Sequence, residues 1–188
     1  MSVDAGCTLV QRRERIDGDG VYLRKFSSQD IDAVLDTAND TESMFGFFTQ
    51  ARGDYDQALH YVRVAERAWD YGWMLPYAIV DAETDQSVGM RQVNLTQVAF
   101  GRVTVGAWVA PSFRRKGYSL RSLNAVVDWL RTEKSVFRVD AFVHEANEAS
   151  YRVLEKAGFE REGVLRNWEV TEGKSRDMLS YAYLIDRS

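Results

Sequence analysis

The chain has 188 residues, 45% of them hydrophobic and 28% charged, with a formal net charge of −4. That length and balance suit one globular domain with a single core, and an acidic chain repels a polyphosphate backbone, which argues against nucleic-acid binding. No apolar run approaches the length of a membrane span, and the single cysteine, Cys7, rules out an intrachain disulfide and fits a reducing cytoplasm.

Residues 1–19 read as an N-terminal extension and 20–188 as one domain. The extension has no long apolar stretch after early cations, so no secretory signal is expected, and Cys7 lies too near a chain end to be a catalytic candidate. "VYLRKF" (21–26) alternates and reads as a strand. Ser27 or Ser28 can cap a helix whose apolar face is Ile31, Val34, Leu35 and Ala38. The aromatic run of Met44, Phe45, Phe47 and Phe48 suits core packing or the wall of an acceptor pocket. Asp54 can cap the next helix, with Leu59, Val62, Ala65 and Trp69 on one stripe and Gly72 as its stop. Strands are expected over 74–81 and 87–97, joined by the polar turn "AETDQ". The run 102–110 is apolar on both faces and should be central to the sheet. A helix after Gly117 places Leu120, Leu123, Val127 and Leu130 on one side. Residues 137–143 form another buried strand, and 147–158 a short helix opened by Asn147 and closed by Gly158. Two final strands make a long hairpin around Gly173. The fold class is therefore mixed α/β (α+β): a mostly antiparallel sheet of about seven strands with helices on both faces.

"APSFRRKGYSL" (110–120) joins a strand end, a cationic cluster and a helix start. Backbone N–H groups at a helix start are unpaired and carry the positive end of the helix dipole. They bind anions, phosphate above all. Gly117 lets a ligand approach the main chain, Arg114, Arg115 and Lys116 add charge, and Tyr118 can stack or cover the helix start. A solvated basic turn is the plain alternative. Neither nucleotide-binding glycine signature, G-x-x-x-x-G-K-[ST] or G-x-G-x-x-G, is present. Gly106 interrupts the central strand, which suggests a bulge or a close backbone approach. A bulged strand could pair with an extended amide-bearing ligand as with an added strand. Diphosphate at the helix and an amide arm along the strand together describe coenzyme A.

These segments, with "NEASYRVLEKAGFEREGVLR" and the Asp177…Tyr181 pair, resemble the GNAT superfamily of N-acetyltransferases, over roughly residues 20 to 185. The branch they look most like is the RimJ/RimL-type one, which acetylates ribosomal-protein N-termini and related amines. Arg114 and Gly117 match the family's R/Q-x-x-G-x-G/A loop, with Ser119 where the pattern has Gly or Ala. The resemblance implies a V-shaped gap between the strands 102–110 and 137–143 that holds acetyl-CoA. The main chain of 114–119 meets the pyrophosphate, the arm pairs near Trp108 and Val109, and Asn147 bonds the cofactor. Ser150 would lie near the sulfur, and Glu169 would be the base.

The chemistry needs few groups. An α-amine has a pKa of about 8 and a lysine about 10.4, so both are mostly charged at neutral pH and must lose a proton. Glu169 would take it through water, aided by partial burial. A backbone N–H of the central strand would steady the oxyanion, and Ser150 would assist the departing thiolate. No metal is required, and transfer should be direct. Each residue has a plainer reading: Glu169 as a surface carboxylate, Asn147 as a helix cap, Tyr151 and His60 as packing, Asp177 as an organiser of the hairpin. His144 is the rival base, though a lone histidine there is more often a surface residue. The acceptor is a small amine or a protein N-terminus, chosen by 28–73 and the final hairpin. The expected protein is cytoplasmic, binds neither nucleic acid nor membrane, and is compatible with a homodimer. The alternative is a non-catalytic acyl-CoA-binding module of the same fold.

Overall fold

Apolar runs with a period of two and of 3.6 alternate along the chain, and the computed structural model, which describes residues 10–38, 40, 54–171 and 173–187, sets them on one eight-stranded sheet. Cys7 and the aromatic run at 44–48 lie outside those residues. In chain order the elements are β1 (Arg15–Gly18), β2 (Val21–Lys25), α1 (Ile31–Ala38), α2 (Tyr55–Tyr71), β3 (Met74–Asp81), β4 (Ser87–Asn94) and β5 (Arg102–Val109). They continue with α3 (Tyr118–Thr132), β6 (Arg138–His144), α4 (Glu148–Lys156), β7 (Glu160–Thr171) and β8 (Lys174–Leu184). The spatial order is β1-β2-β3-β4-β5-β6-β8-β7, antiparallel throughout except for β5 beside β6.

The mixed α/β class and the element order are as read from the sequence, with one strand more. β1 lies inside the stretch read as an extension. Its residues Arg15 to Gly18 pair with Arg24 to Val21 across a turn at Asp19-Gly20. Only Ile16 of the four is buried, so no alternation announces the strand. The Asp-Gly pair was the available signal.

Local chemistry sets the helix limits. The Asp54 carboxylate accepts the Asp56 N–H and opens α2, and Gly72, at φ 72°, ends it. Ser27 and Asp30 form a capping box before α1. Asp30 is buried, and Arg24 satisfies it with bonds of 2.9 and 2.8 Å. One core lies between the sheet and the α3/α4 side, around Leu23, Tyr77, Val93, Leu123, Trp129 and Leu154. The other lies under α1 and α2, around Phe26, Val34, Val62, Ala78 and Trp108. β3 is buried along its middle because helices cover both of its faces.

The arrangement that positions a site is the parting of β5 from β6. They pair only at Arg102↔Arg138, Val103↔Val139 and Thr104↔Asp140. Beyond Thr104, β5 stays with β4 as far as Val109, and β6 stays with β8 as far as His144. Two fully zipped outer seams thus hold the inner seam apart. The expected bulge at Gly106 is absent: Gln92↔Gly106 sits in an unbroken register between β4 and β5. The gap comes from the departure of β6, and Gly106 is a plain strand residue at its wall.

Candidate active site

A cavity of about 350 Å³ fills this gap. Val105, Gly106 and Ala107 of β5 face Phe142 and His144 of β6 across it, with Asn147 and Ser150 of α4 and Glu169 of β7 along its side. Ala110 donates its N–H to the Val88 carbonyl at 2.9 Å. The alternation of an antiparallel ladder then turns the peptide groups of 104, 106 and 108 towards β4 and those of 107 and 109 into the gap, with the Val105 carbonyl, while the Val105 N–H belongs to the last parallel pairing with β6 at Thr104↔Asp140. An edge with exposed N–H and C=O groups can take up an extended ligand. This sets Trp108 apart from the cavity. Its main chain faces β4, and its ring packs at 6.2 Å from Phe26 and donates its indole N–H to the Tyr61 hydroxyl at 3.2 Å. Val109 keeps a gap-facing peptide, but its carbonyl accepts from Arg114 Nε at 3.2 Å.

The β5–α3 turn ends in a shallow nest of main-chain donors. Arg115 has φ 62° and Gly117 has φ 82°, and the latter is the N-cap of the 15-residue α3. Alternating left-handed residues before a helix turn successive N–H groups to one side, a concavity suited to anions. A Cβ at Gly117 would meet nothing nearer than Arg121 Nε at 3.7 Å, so the positive φ is what calls for glycine. The three cations behave differently. Arg114 pairs with Asp40 at 2.5 Å, whereas Arg115 and Lys116 are exposed at the rim. Tyr118 is a brace: its ring packs edge-on against Phe113, Arg121 lies over it at 4.7 Å, and its hydroxyl donates to Asp81. That bond, helped by the Thr84 N–H, holds the Asp81 carboxyl down at about 2.

One residue of the site escaped the sequence reading. Arg91 on β4 is 3% exposed and lines the cavity. Its Nη2 donates to the Ser119 carbonyl at 2.6 Å and to Ser122 Oγ at 3.1 Å, and Ser119 Oγ lies 3.4 Å away. Its Nε has no partner among the described residues. Burial pushes the guanidinium down to about 9. The only sequence signal was an arginine in an otherwise apolar stretch, "SVGMRQV".

At the other end of the cavity, Asn147 caps α4, its Oδ1 accepting the Ser150 N–H at 3.1 Å. Ser150 therefore stands in the first turn and lines the cavity. Glu169 arrives from the far end of the chain because the β7–β8 register slips between Leu165 and Glu169. Asn167, at φ 52°, makes that bulge, and its N–H donates to the Asp177 carboxylate at 2.9 Å. Asp177 thus organises the hairpin. A bulge re-aims the residues beside it: Trp168 and Glu169 both reach the cavity wall, Trp168 with its ring 5.5 Å from Phe142. Glu169 is half-buried and opposite Arg176. His144 also lines the cavity, its Nδ1 accepting the Ala146 N–H at 3.1 Å and its Nε2 3.3 Å from Arg176.

The family model described as acetyltransferase (GNAT) domain matches residues 21–160. An uncharacterized N-acetyltransferase of Bacillus licheniformis, p20, is 24% identical over 162 residues, covering 86% of this chain and 91% of its own. A RimL ribosomal L7/L12 alpha-N-protein acetyltransferase solved with coenzyme A has the same fold, with a TM-score of 0.80 at 20% identity, over 93% of this chain and 100% of that one. So has the microcin C7 self-immunity acetyltransferase MccE solved with acetyl-CoA and AMP, with a TM-score of 0.79 at 18% identity, over 89% and 93% of the two chains.

Proposed function

The chain belongs to the GNAT acetyltransferase family, and on that premise we propose that it moves an acetyl group directly from acetyl-CoA to a primary amine, as a RimJ/RimL-type N-acetyltransferase. The acceptor is a protein N-terminus or a small amine. The observation that carries this reading is the parted β5–β6 seam, whose cavity gathers Ser150 and Glu169 from separate elements.

The residues fit the donor. The nest at 115–118 and the start of α3 take the diphosphate, and the Val105 carbonyl and the gap-facing peptide of Ala107 take the amide arm. Acetyl-CoA supplies the acyl group as a thioester, which a neutral amine can attack. Glu169 takes the proton that the ammonium must lose, through a water at the cavity mouth. The N–C bond forms as the C–S bond breaks. A gap-facing β5 peptide N–H, held in place by its strand, steadies the carbonyl oxygen as it gains charge. The Ser150 hydroxyl donates to the departing sulfur. Asn147 acts through the helix it caps, and Arg115 and Lys116 draw the anionic donor to the rim.

Incubation with acetyl-CoA and a panel of N-terminal peptides, polyamines and amino-acid amines, with thiol release as the readout, tests the proposal. Turnover on at least one acceptor is expected. Glu169→Gln should lower kcat about 100-fold, and Ser150→Ala about 10-fold, with coenzyme A affinity kept. Coenzyme A binding without thiol release on any acceptor would leave only a binding module.

A further inference from the structure

Three features converge on the start of α3 with the same sign. The helix presents the positive end of its dipole, Arg115 and Lys116 stand at the rim, and the Arg91 guanidinium lies behind the first turn. They are compensated differently. Arg114 has Asp40, and the rim cations have solvent. Arg91 has neither. It is 3% exposed, its partners are a carbonyl and hydroxyls, and it makes no ion pair with a described residue. Its Nε–H is buried without an acceptor among the described residues.

Buried charges in proteins are normally paired, since an ion removed from water loses hydration that neutral dipoles replace only in part. Placing a cation beside the positive end of a helix adds to the cost. Such a site holds a positive potential that only an anion relieves, and low polarisability around it lengthens its reach. The cavity that Arg91 lines is continuous with Ser119 of the same turn. Ser119 stands where the family pattern has Gly or Ala, and it is the residue whose carbonyl and hydroxyl approach Arg91. The departure from the pattern and the buried cation are thus one local arrangement.

We infer that Arg91 is a positioning residue for the acyl donor: held by Ser119 and Ser122 behind the first turn of α3, it supplies the buried positive charge that the donor's diphosphate balances. The inference rests on the coenzyme A reading above. It divides the labour among the cations, with Arg115 and Lys116 governing encounter from the rim, and Arg91 governing how tightly the bound diphosphate is held.

The test compares coenzyme A with pantetheine, which has the amide arm and thiol but no diphosphate. Dissociation constants are measured for wild type, Arg91→Met and Arg91→Lys, by calorimetry for coenzyme A and ligand-observed NMR for pantetheine. Arg91→Met should weaken coenzyme A roughly 10- to 100-fold and leave pantetheine within about 2-fold. Arg91→Lys, which keeps the charge, should recover most of the affinity and supplies the comparison should the methionine variant fail to fold. Equal weakening of both ligands, or loss of coenzyme A affinity in the lysine variant as large as in the methionine one, overturns the inference. Wild-type protein that binds neither ligand overturns the coenzyme A reading itself, a result distinct from either.

Discussion

β6 has two edges, and the protein treats them differently. Against β8 it is zipped over its whole length, from Arg138↔Leu184 to His144↔Met178. Against β5 it pairs for three residues and then parts. Both seams are walled by apolar side chains: Val139, Val143, Leu179 and Tyr181 at the closed one, and Val105 and Leu123 by the open one. Hydrophobicity therefore does not distinguish them. What differs is where the backbone groups find partners. Each unmade strand hydrogen bond forgoes about 1 kcal/mol, and the open seam bears this from the Val105 carbonyl to the Val109 N–H. One edge of β6 thus has its backbone groups paired along its length, and the other leaves them open to a ligand.

The largest effect that would break this division is expected at the closed seam. Tyr181 is 1% exposed, and its hydroxyl donates to Glu155 at 3.0 Å. Tyr181→Ala should cost about 3–5 kcal/mol in urea denaturation, whereas Tyr181→Phe should cost about 1. A small loss in the alanine variant would mean that the zipped edge is not where stability lies. Gly106→Val should show the reverse signature at the open seam. Gly106 lines the cavity and has no positive φ, so a valine there takes space from the cavity wall without backbone strain. Coenzyme A affinity should fall about 100-fold, or about 2.7 kcal/mol, with the urea midpoint nearly unchanged. An unfolded variant would contradict the separation.

Smaller effects sharpen it. Gly117→Ala forces a side chain onto φ 82° and should cost about 1 kcal/mol of stability, together with a several-fold loss of coenzyme A affinity. Asp81→Asn should act least, and through pH. Asp81 has a folded value of about 2, below the ordinary 3.8, so its bond to Tyr118 stabilises the fold above pH 4 and is lost as pH falls through 2. Thermal melts should place the variant slightly below wild type at pH 7, with the gap closing on acidification. A gap that persists at pH 2 would show that Asp81 braces α3 by shape rather than by charge.

Much of this was legible in the chain. Periodicity marked both central strands and the four helices among the described residues, and Asp54, Gly72 and Asn147 marked helix limits, because each is a local pattern that a short segment carries whole; the RRKG turn was read as an anion site on the same local grounds. Ser150 and Glu169 were singled out by the family resemblance, and the fold brings both to the cavity wall. β1 was missed because four residues with a single buried member carry no period. Trp108 was put in the cavity because a strand's sequence does not say which edge its peptides face. Asp40 and Arg114, or Arg91 and Ser119 at a separation of 28 residues, gave no sign of meeting.

The sequence by itself thus determined the elements, their order and the chemistry available at the α3 start. Only the tertiary structure decided which seam stays open, which cation is neutralised and which is buried without a counter-charge among the described residues. The physical reason is that periodicity and capping are satisfied within a few residues. A strand's hydrogen-bond partners and a charge's compensation depend on whichever distant residues the fold brings alongside.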